Sequence, residues 1–271
     1  MKIAVIVPTR GDRPKFLKQC HHLISRQTLK PAEVIVVDYA PKGGQKDITQ
    51  RYRKGVEEAT KKGCTVAVFW EDDDWYHPTY LEWLIKEWQK QKSPAIFGVG
   101  ETYYYNLGAS SRLHMKHQGR TSMFCTLARL PYKHTWPADN YPYLDMHFHK
   151  QHIVKTVNFP KDKILAIGIK HGVGLTGGGG HQPRFKWDMV GDKARRWFVK
   201  HMDGELTFYD KLAAALPKHN ARVINRGRGF VSSKKPNRNN GQQVVRKKVI
   251  VSSANTQLRR RGHSIVKVRR K

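Results

Sequence analysis

The sequence predicts an α/β fold: a mostly parallel sheet with helices on both faces, followed by a basic C-terminal extension. Three observations carry that prediction. Short β-branched apolar runs alternate with helical periodicity over the first hundred residues. Acidic residues gather where those runs end, at Asp38 and at 71–74. Asp and Glu then vanish after Asp210, while Lys and Arg continue to the last residue.

Residues 3–7 form a continuous apolar run and read as a first buried strand, which Pro8-Thr9-Arg10-Gly11-Asp12 turns. Phe16, Leu17, Cys20, Leu23 and Ile24 then recur at the spacing of an amphipathic helix. A second strand at 34–37 ends on Asp38, and a helical stretch follows over 47–59. The third strand, 66–69, runs straight into four consecutive acids. Tyr80, Leu81, Leu84, Ile85 and Trp88 restore helical spacing, and 95–99 reads as a fourth strand. Strand and helix alternating in this way predict a parallel sheet covered on both faces. Ligands bind such sheets at the carboxyl ends of the strands, so Asp38 and residues 71–74 are expected on one rim. Beyond residue 100 the pattern is less regular. Residues 103–107 and 112–116 flank a Gly-Ala-Ser-Ser turn as a β-hairpin would, a short helix is expected near Asp145, and 164–169 reads as a further strand.

Composition limits the function classes. The net charge is +30 and the pI near 10.2, which calls for a polyanionic partner. Eighteen of those charges fall in residues 211–271, which contain no Asp or Glu, leaving +12 for the first 210. The three cysteines have no paired spacing, arguing against a disulfide framework. No segment is long and apolar enough to span a bilayer, and the opening run is too short for a signal peptide. A soluble, cytoplasmic protein is therefore expected, divided into residues 1–210 and a basic extension over 211–271.

Trp70-Glu71-Asp72-Asp73-Asp74-Trp75 is the most informative segment. Four neighbouring carboxylates repel and raise one another's pKa values, and a helix cap needs only one of them. A divalent cation facing a phosphate ligand turns that repulsion into attraction, and Mg²⁺ and Mn²⁺ prefer carboxylate oxygens. The segment reads as a metal and phosphate site.

Val7-Pro8-Thr9-Arg10 after strand one, Val36-Val37-Asp38 after strand two, and Glu71-Asp72-Asp73-Asp74 with Pro78 and Leu81-Glu82 after strand three resemble a nucleotide-sugar glycosyltransferase of the GT-A (Rossmann-like) fold, in the broad family 2 style. The resemblance covers residues 1–110 best, thins towards 185 and is absent from the extension. It implies a nucleotide-sugar half over 1–110 and an acceptor half over 111–210. It implies that Pro8, Thr9 and Arg10 line a UDP-sugar pocket, that Asp38 binds the nucleobase, and that Asp72 and Asp73 contact the donor. Mn²⁺ or Mg²⁺ would be ligated by Asp74 and Asp72, with His171 and His181 approaching it from the glycine-rich segment around 177–180. An inverting mechanism needs a carboxylate base, for which Asp145 and then Asp139 match by position.

The extension reads as a polyanion-binding segment, with Arg226, Arg228, Lys234, Lys235, Arg246, Lys247, Lys248, Arg259, Arg260 and Arg261 as the candidate phosphate contacts. Joined to a transferase-like body, it suggests by analogy an enzyme that glycosylates hydroxymethylated pyrimidines in bacteriophage DNA. Two alternatives stand beside it: transfer to a protein, glycan or anionic cell-surface polymer, and a non-catalytic nucleic-acid-binding protein on a transferase scaffold.

Overall fold

The computed structural model describes residues 1–38, 47–131, 133, 135–138, 144–171, 190–202 and 204–215. Asp139, His181 and all ten basic residues named in the extension lie outside them. The chain opens with β1 (Ile3–Pro8), α1 (Pro14–Ser25), β2 (Glu33–Val37), α2 (Ile48–Lys61) and β3 (Val66–Phe69). It continues through β4 (Trp75–Tyr76), α3 (Tyr80–Lys90), β5 (Ile96–Val99), β6 (Glu101–Asn106), β7 (Ser111–Lys116) and β8 (Thr126–Arg129). Then come α4 (Leu144–Lys150), β9 (Val154–Val157), β10 (Ala166–Lys170), β11 (Val190–Gly191), α5 (Arg196–His201) and α6 (Leu206–Ala215). The last described helix runs across the position where the composition changes.

The main sheet has the order β2-β1-β3-β8-β5-β9 and is mostly parallel, with β8 alone antiparallel to its neighbours. Because successive side chains of a strand point to opposite faces, a fully buried strand must feed two cores. Ile3, Val5 and Val7 of β1 pack with Cys20, Leu23 and Ile24 of α1 and with Leu81, Leu84 and Trp88 of α3. Ala4 and Ile6 face the other way, into Tyr52, Val56 and Ala59 of α2 and Leu144 and Phe148 of α4. Helices thus cover both faces, as the alternation predicts.

The purely parallel arrangement implied by the first hundred residues does not hold throughout. After β5 the chain leaves for a second sheet, β11-β7-β6-β10-β4, built around the expected hairpin with Tyr103 opposite His114. It re-enters the main sheet at β8 in the opposite direction, between β3 and β5. That strand, Thr-Leu-Ala-Arg, is too short to show a period, and nothing in it encodes direction. β2 forms the edge of the described sheet, which leaves Val34 partly exposed.

Helix α2 sits unusually close to β1. A methyl group on Gly55 would lie 2.3 Å from Ile6 Cγ2. Gly55→Ala should therefore destabilise the protein by about 1–3 kcal/mol through overpacking, despite alanine's better helix propensity. Urea unfolding would show it, and a stability gain would mean the helix shifts freely.

On α4, His149 is buried, with Nε2 3.4 Å from Thr126 Oγ1 and Nδ1 unpartnered. Burial, with His117 nearby, pushes its pKa down to about 3. Burial and Arg120 likewise hold His117 near 4, and its Nε2 lies 2.6 Å from the Thr102 hydroxyl. Both rings are neutral in the fold, so protons bind preferentially to the unfolded chain below its ordinary histidine pKa. Their contribution is complete above about pH 6.5 and is lost as pH falls towards the folded values. For His149 the loss from pH 6.5 to 5 is on the order of 2 kcal/mol. The stability difference between wild type and His149→Gln should narrow by that amount over the interval; a constant difference would contradict a neutral buried ring.

Candidate metal centre

Strand β3 ends at Phe69, and Trp70 N donates to Ile6 O at 3.0 Å, holding the chain beside β1 for one residue more. Residues 71–74 then turn into β4, which belongs to the second sheet and pairs with β10. The acids therefore occupy the passage between the two sheets. Tyr76 fixes the turn: its hydroxyl accepts from Glu71 N at 3.0 Å and donates to Phe124 O at 3.2 Å, while its ring stacks on Trp70 at 3.7 Å.

Each acid has different surroundings. Asp72 is buried with both oxygens engaged: Thr9 Oγ1 donates to Oδ2 at 2.7 Å, and Arg13 Nη2 to Oδ1 at 2.6 Å. Asp73 Oδ2 receives Arg13 Nη1 at 2.9 Å and lies 2.9 Å from His171 Nε2. Asp74 accepts the Ile169 amide on Oδ1 at 2.7 Å, and its carbonyl takes the Tyr209 hydroxyl at 3.5 Å. Its Oδ2 is buried with no hydrogen-bond partner. Glu71, Asp73 and Asp74 each offer an oxygen, all within 4.8 Å of one another.

The electrostatics follow from this packing. Burial raises Glu71 to about 7, with Asp73 and Asp145 adding to the effect and Lys170 opposing it. Burial and Asp73 lift Asp72 to about 6 against Arg13 and Thr9. Asp74 is pushed well above the usual carboxylate range by burial, Glu71 and Asp73. Burial acts on Asp73 in the same direction, but the His171 hydrogen bond and the Arg13 charge outweigh it and hold the group below its ordinary value. Within the converging set, Glu71 and Asp74 resist ionisation, Asp73 stays charged, and Asp74 keeps a buried oxygen without a donor, an arrangement that a hard divalent cation fits.

The remaining candidates fall around this cluster. Pro8 closes β1, and Thr9 N donates to Val37 O at 3.0 Å, tying the first two strand ends together. Arg10 turns to Asp12, 3.5 Å away. Asp38 is exposed at the end of β2, its carbonyl facing Gly11. His171 is buried against Phe16, ring centroids 4.5 Å apart. Asp145 stands in the first turn of α4, its Oδ1 accepting Met146 N at 2.8 Å, near enough to Glu71 to influence its ionisation. The sequence reading missed Arg13 and the Ile169 amide; it placed neither Glu71 nor Asp73 among the metal ligands, and Asp72, which it did place there, has both oxygens engaged by Thr9 and Arg13. Only Arg13 left a local signal, a cation standing directly before Pro14 and a helix.

Fold and site together define an α/β protein with a carboxylate-rich centre at its strand ends. No family model matches the chain, and no curated protein does. Among solved structures, S. aureus TarS 1–349 in complex with UDP-GlcNAc is similar at a TM-score of 0.46 and 11% identity, over 79% of this chain and 71% of that one. A197 from STIV is similar at 0.37 and 10%, over 58% and 82%. Against another S. aureus TarS structure, at 0.40 and 12% over 62% of this chain, the match spans 37% of that chain. Likeness this slight assigns no activity, and the functional reading rests on the residues. Among the described residues, no helix is long and apolar enough to cross a membrane.

Proposed function

We propose that this protein is a metal-dependent glycosyltransferase that moves a sugar from a UDP-sugar to a hydroxyl acceptor. The observation that carries the reading is the convergence of Glu71, Asp73 and Asp74 within 4.8 Å at the rim of the sheet. Those three would hold Mn²⁺ or Mg²⁺, whose chemistry is to stabilise negative charge on a diphosphate leaving group. In this reading Thr9 and Asp72, joined by their hydrogen bond, would wall the donor, and Asp38 at the end of β2 would meet its nucleobase. Asp145 takes the proton from the acceptor hydroxyl. The hydroxyl oxygen attacks the anomeric carbon, the bond from that carbon to the phosphate oxygen breaks, and UDP departs with the electron pair. His171 keeps Asp73 ionised throughout.

The acceptor in this reading is a hydroxymethylated pyrimidine in DNA, gathered by the basic residues of 211–271 while residues 1–210 perform the transfer. The net charge of +30 supports a polyanionic acceptor in the cytoplasm, where Cys20, Cys64 and Cys125 stay reduced. Protein, Mn²⁺, a pool of UDP-sugars and DNA containing hydroxymethylcytosine or hydroxymethyluracil would be incubated and digested to nucleosides. A hexose- or pentose-sized mass gain, absent with plain DNA, is expected. Transfer only to an anionic glycan polymer would move the acceptor to the cell surface. Absence of both transfer and Mn²⁺-dependent UDP binding would leave a nucleic-acid-binding protein without catalysis.

A further inference from the structure

Arg13 stands where stability alone would not put it. It occupies the cap position of α1, directly before Pro14, and its side chain makes no capping hydrogen bond. Helices favour Ser, Thr, Asp or Asn there, and the positive end of the helix dipole repels a guanidinium. The side chain instead bridges two carboxylates, Nη2 to Asp72 Oδ1 at 2.6 Å and Nη1 to Asp73 Oδ2 at 2.9 Å, while its Cζ lies 5.3 Å from the Phe16 ring centroid. With Thr9 on Oδ2, this bond completes the engagement of Asp72. On Asp73, Arg13 and His171 meet the same oxygen, Oδ2.

We infer that Arg13 is the positioning residue of the centre: its fork separates Asp72, fully engaged as a wall, from Asp73, turned towards Glu71 and Asp74. The inference rests on the UDP and metal reading above. A guanidinium can do this because it is planar and presents two donors at a fixed spacing; an ammonium supplies the charge without that geometry. Without the fork, the adjacent carboxylates repel, and Asp72 is freed to compete for the cation.

The test is Mn²⁺-dependent UDP binding, measured by calorimetry on the full chain. Arg13→Gln is expected to weaken it by between about tenfold and a hundredfold, the range for groups that orient metal ligands. Arg13→Lys, which keeps the charge and most of the packing, should weaken it similarly, and added methylguanidinium should restore part of the loss in Arg13→Gln. In an Asp72→Asn background the further effect of Arg13→Gln should shrink to about twofold, because the residue acts through that carboxylate. Full, independent losses from the two substitutions would mean Arg13 binds the nucleotide directly and would overturn the positioning role. Wild-type affinity in Arg13→Lys would overturn it as well. If wild type itself does not bind UDP with Mn²⁺, the underlying reading of the site fails, and this inference with it.

Discussion

Asp74→Asn is expected to abolish sugar transfer while leaving the protein folded and, without metal, more stable than wild type at neutral pH. Asparagine keeps a carbonyl oxygen for the Ile169 amide, so the bond that ties the acidic turn to β10 survives. It removes a charged oxygen from the converging set, and with it the cation's stabilisation of the leaving group. That contribution is several kcal/mol, so activity should fall by about three orders of magnitude. Stability moves the opposite way. Asp74 is held well above its ordinary pKa by burial, Glu71 and Asp73. A carboxyl group raised in the folded state contributes stability at low pH and loses it as pH rises through the folded value. The metal-free wild type should therefore weaken between about pH 4 and neutrality, and Asp74→Asn should weaken less. Addition of Mn²⁺ should raise the melting temperature of wild type and leave the variant unmoved. Transfer within tenfold of wild type, or a variant melting shift equal to that of wild type, would contradict a metal role for this oxygen.

Arg51→Met should carry the largest stability cost. Arg51 is 1% exposed; Nη2 donates to Asp47 Oδ2 at 2.8 Å and Nη1 to Val37 O at 3.0 Å. Methionine fills much of the volume but leaves the buried Asp47 carboxylate without this partner. Breaking a buried pair from one side costs about 3–5 kcal/mol, much more than the pair contributes against an apolar replacement. Val37 O also accepts Thr9 N, and Thr9 in turn holds Asp72, so the loss should reach the centre as weaker UDP binding. Urea unfolding and calorimetry measure the two effects separately. A destabilisation below about 1 kcal/mol would show that Asp47 finds water or another donor. Arg51→Met together with Asp47→Leu should recover much of the stability, since both charges then leave the interior.

The first half of the fold was legible because its signals are local. The apolar runs at 3–7 and 66–69 are continuous, as only doubly covered strands are, and Phe16, Cys20 and Leu23 mark the buried stripe of α1. The rim placement of Asp38 and the acids followed from strand direction alone. The second sheet was only half legible: its hairpin has a turn signal, whereas β4 is two residues long and exists through its pairing with β10. The direction of β8 was hidden because it depends on where the chain has been since β5.

At the centre the sequence determined which chemistry is available: four acids at a strand end, a threonine and arginines after the first strand, and a histidine after a later one. Tertiary structure alone decided how the acids divide, with Asp72 engaged by Thr9 and Arg13 while Glu71, Asp73 and Asp74 converge. The physical reason lies in the turn. In a helix or strand, spacing fixes the direction of a side chain, but consecutive turn residues have no period. Their directions are set by partners 59 to 98 positions away in sequence, among them Arg13, Ile169 and His171.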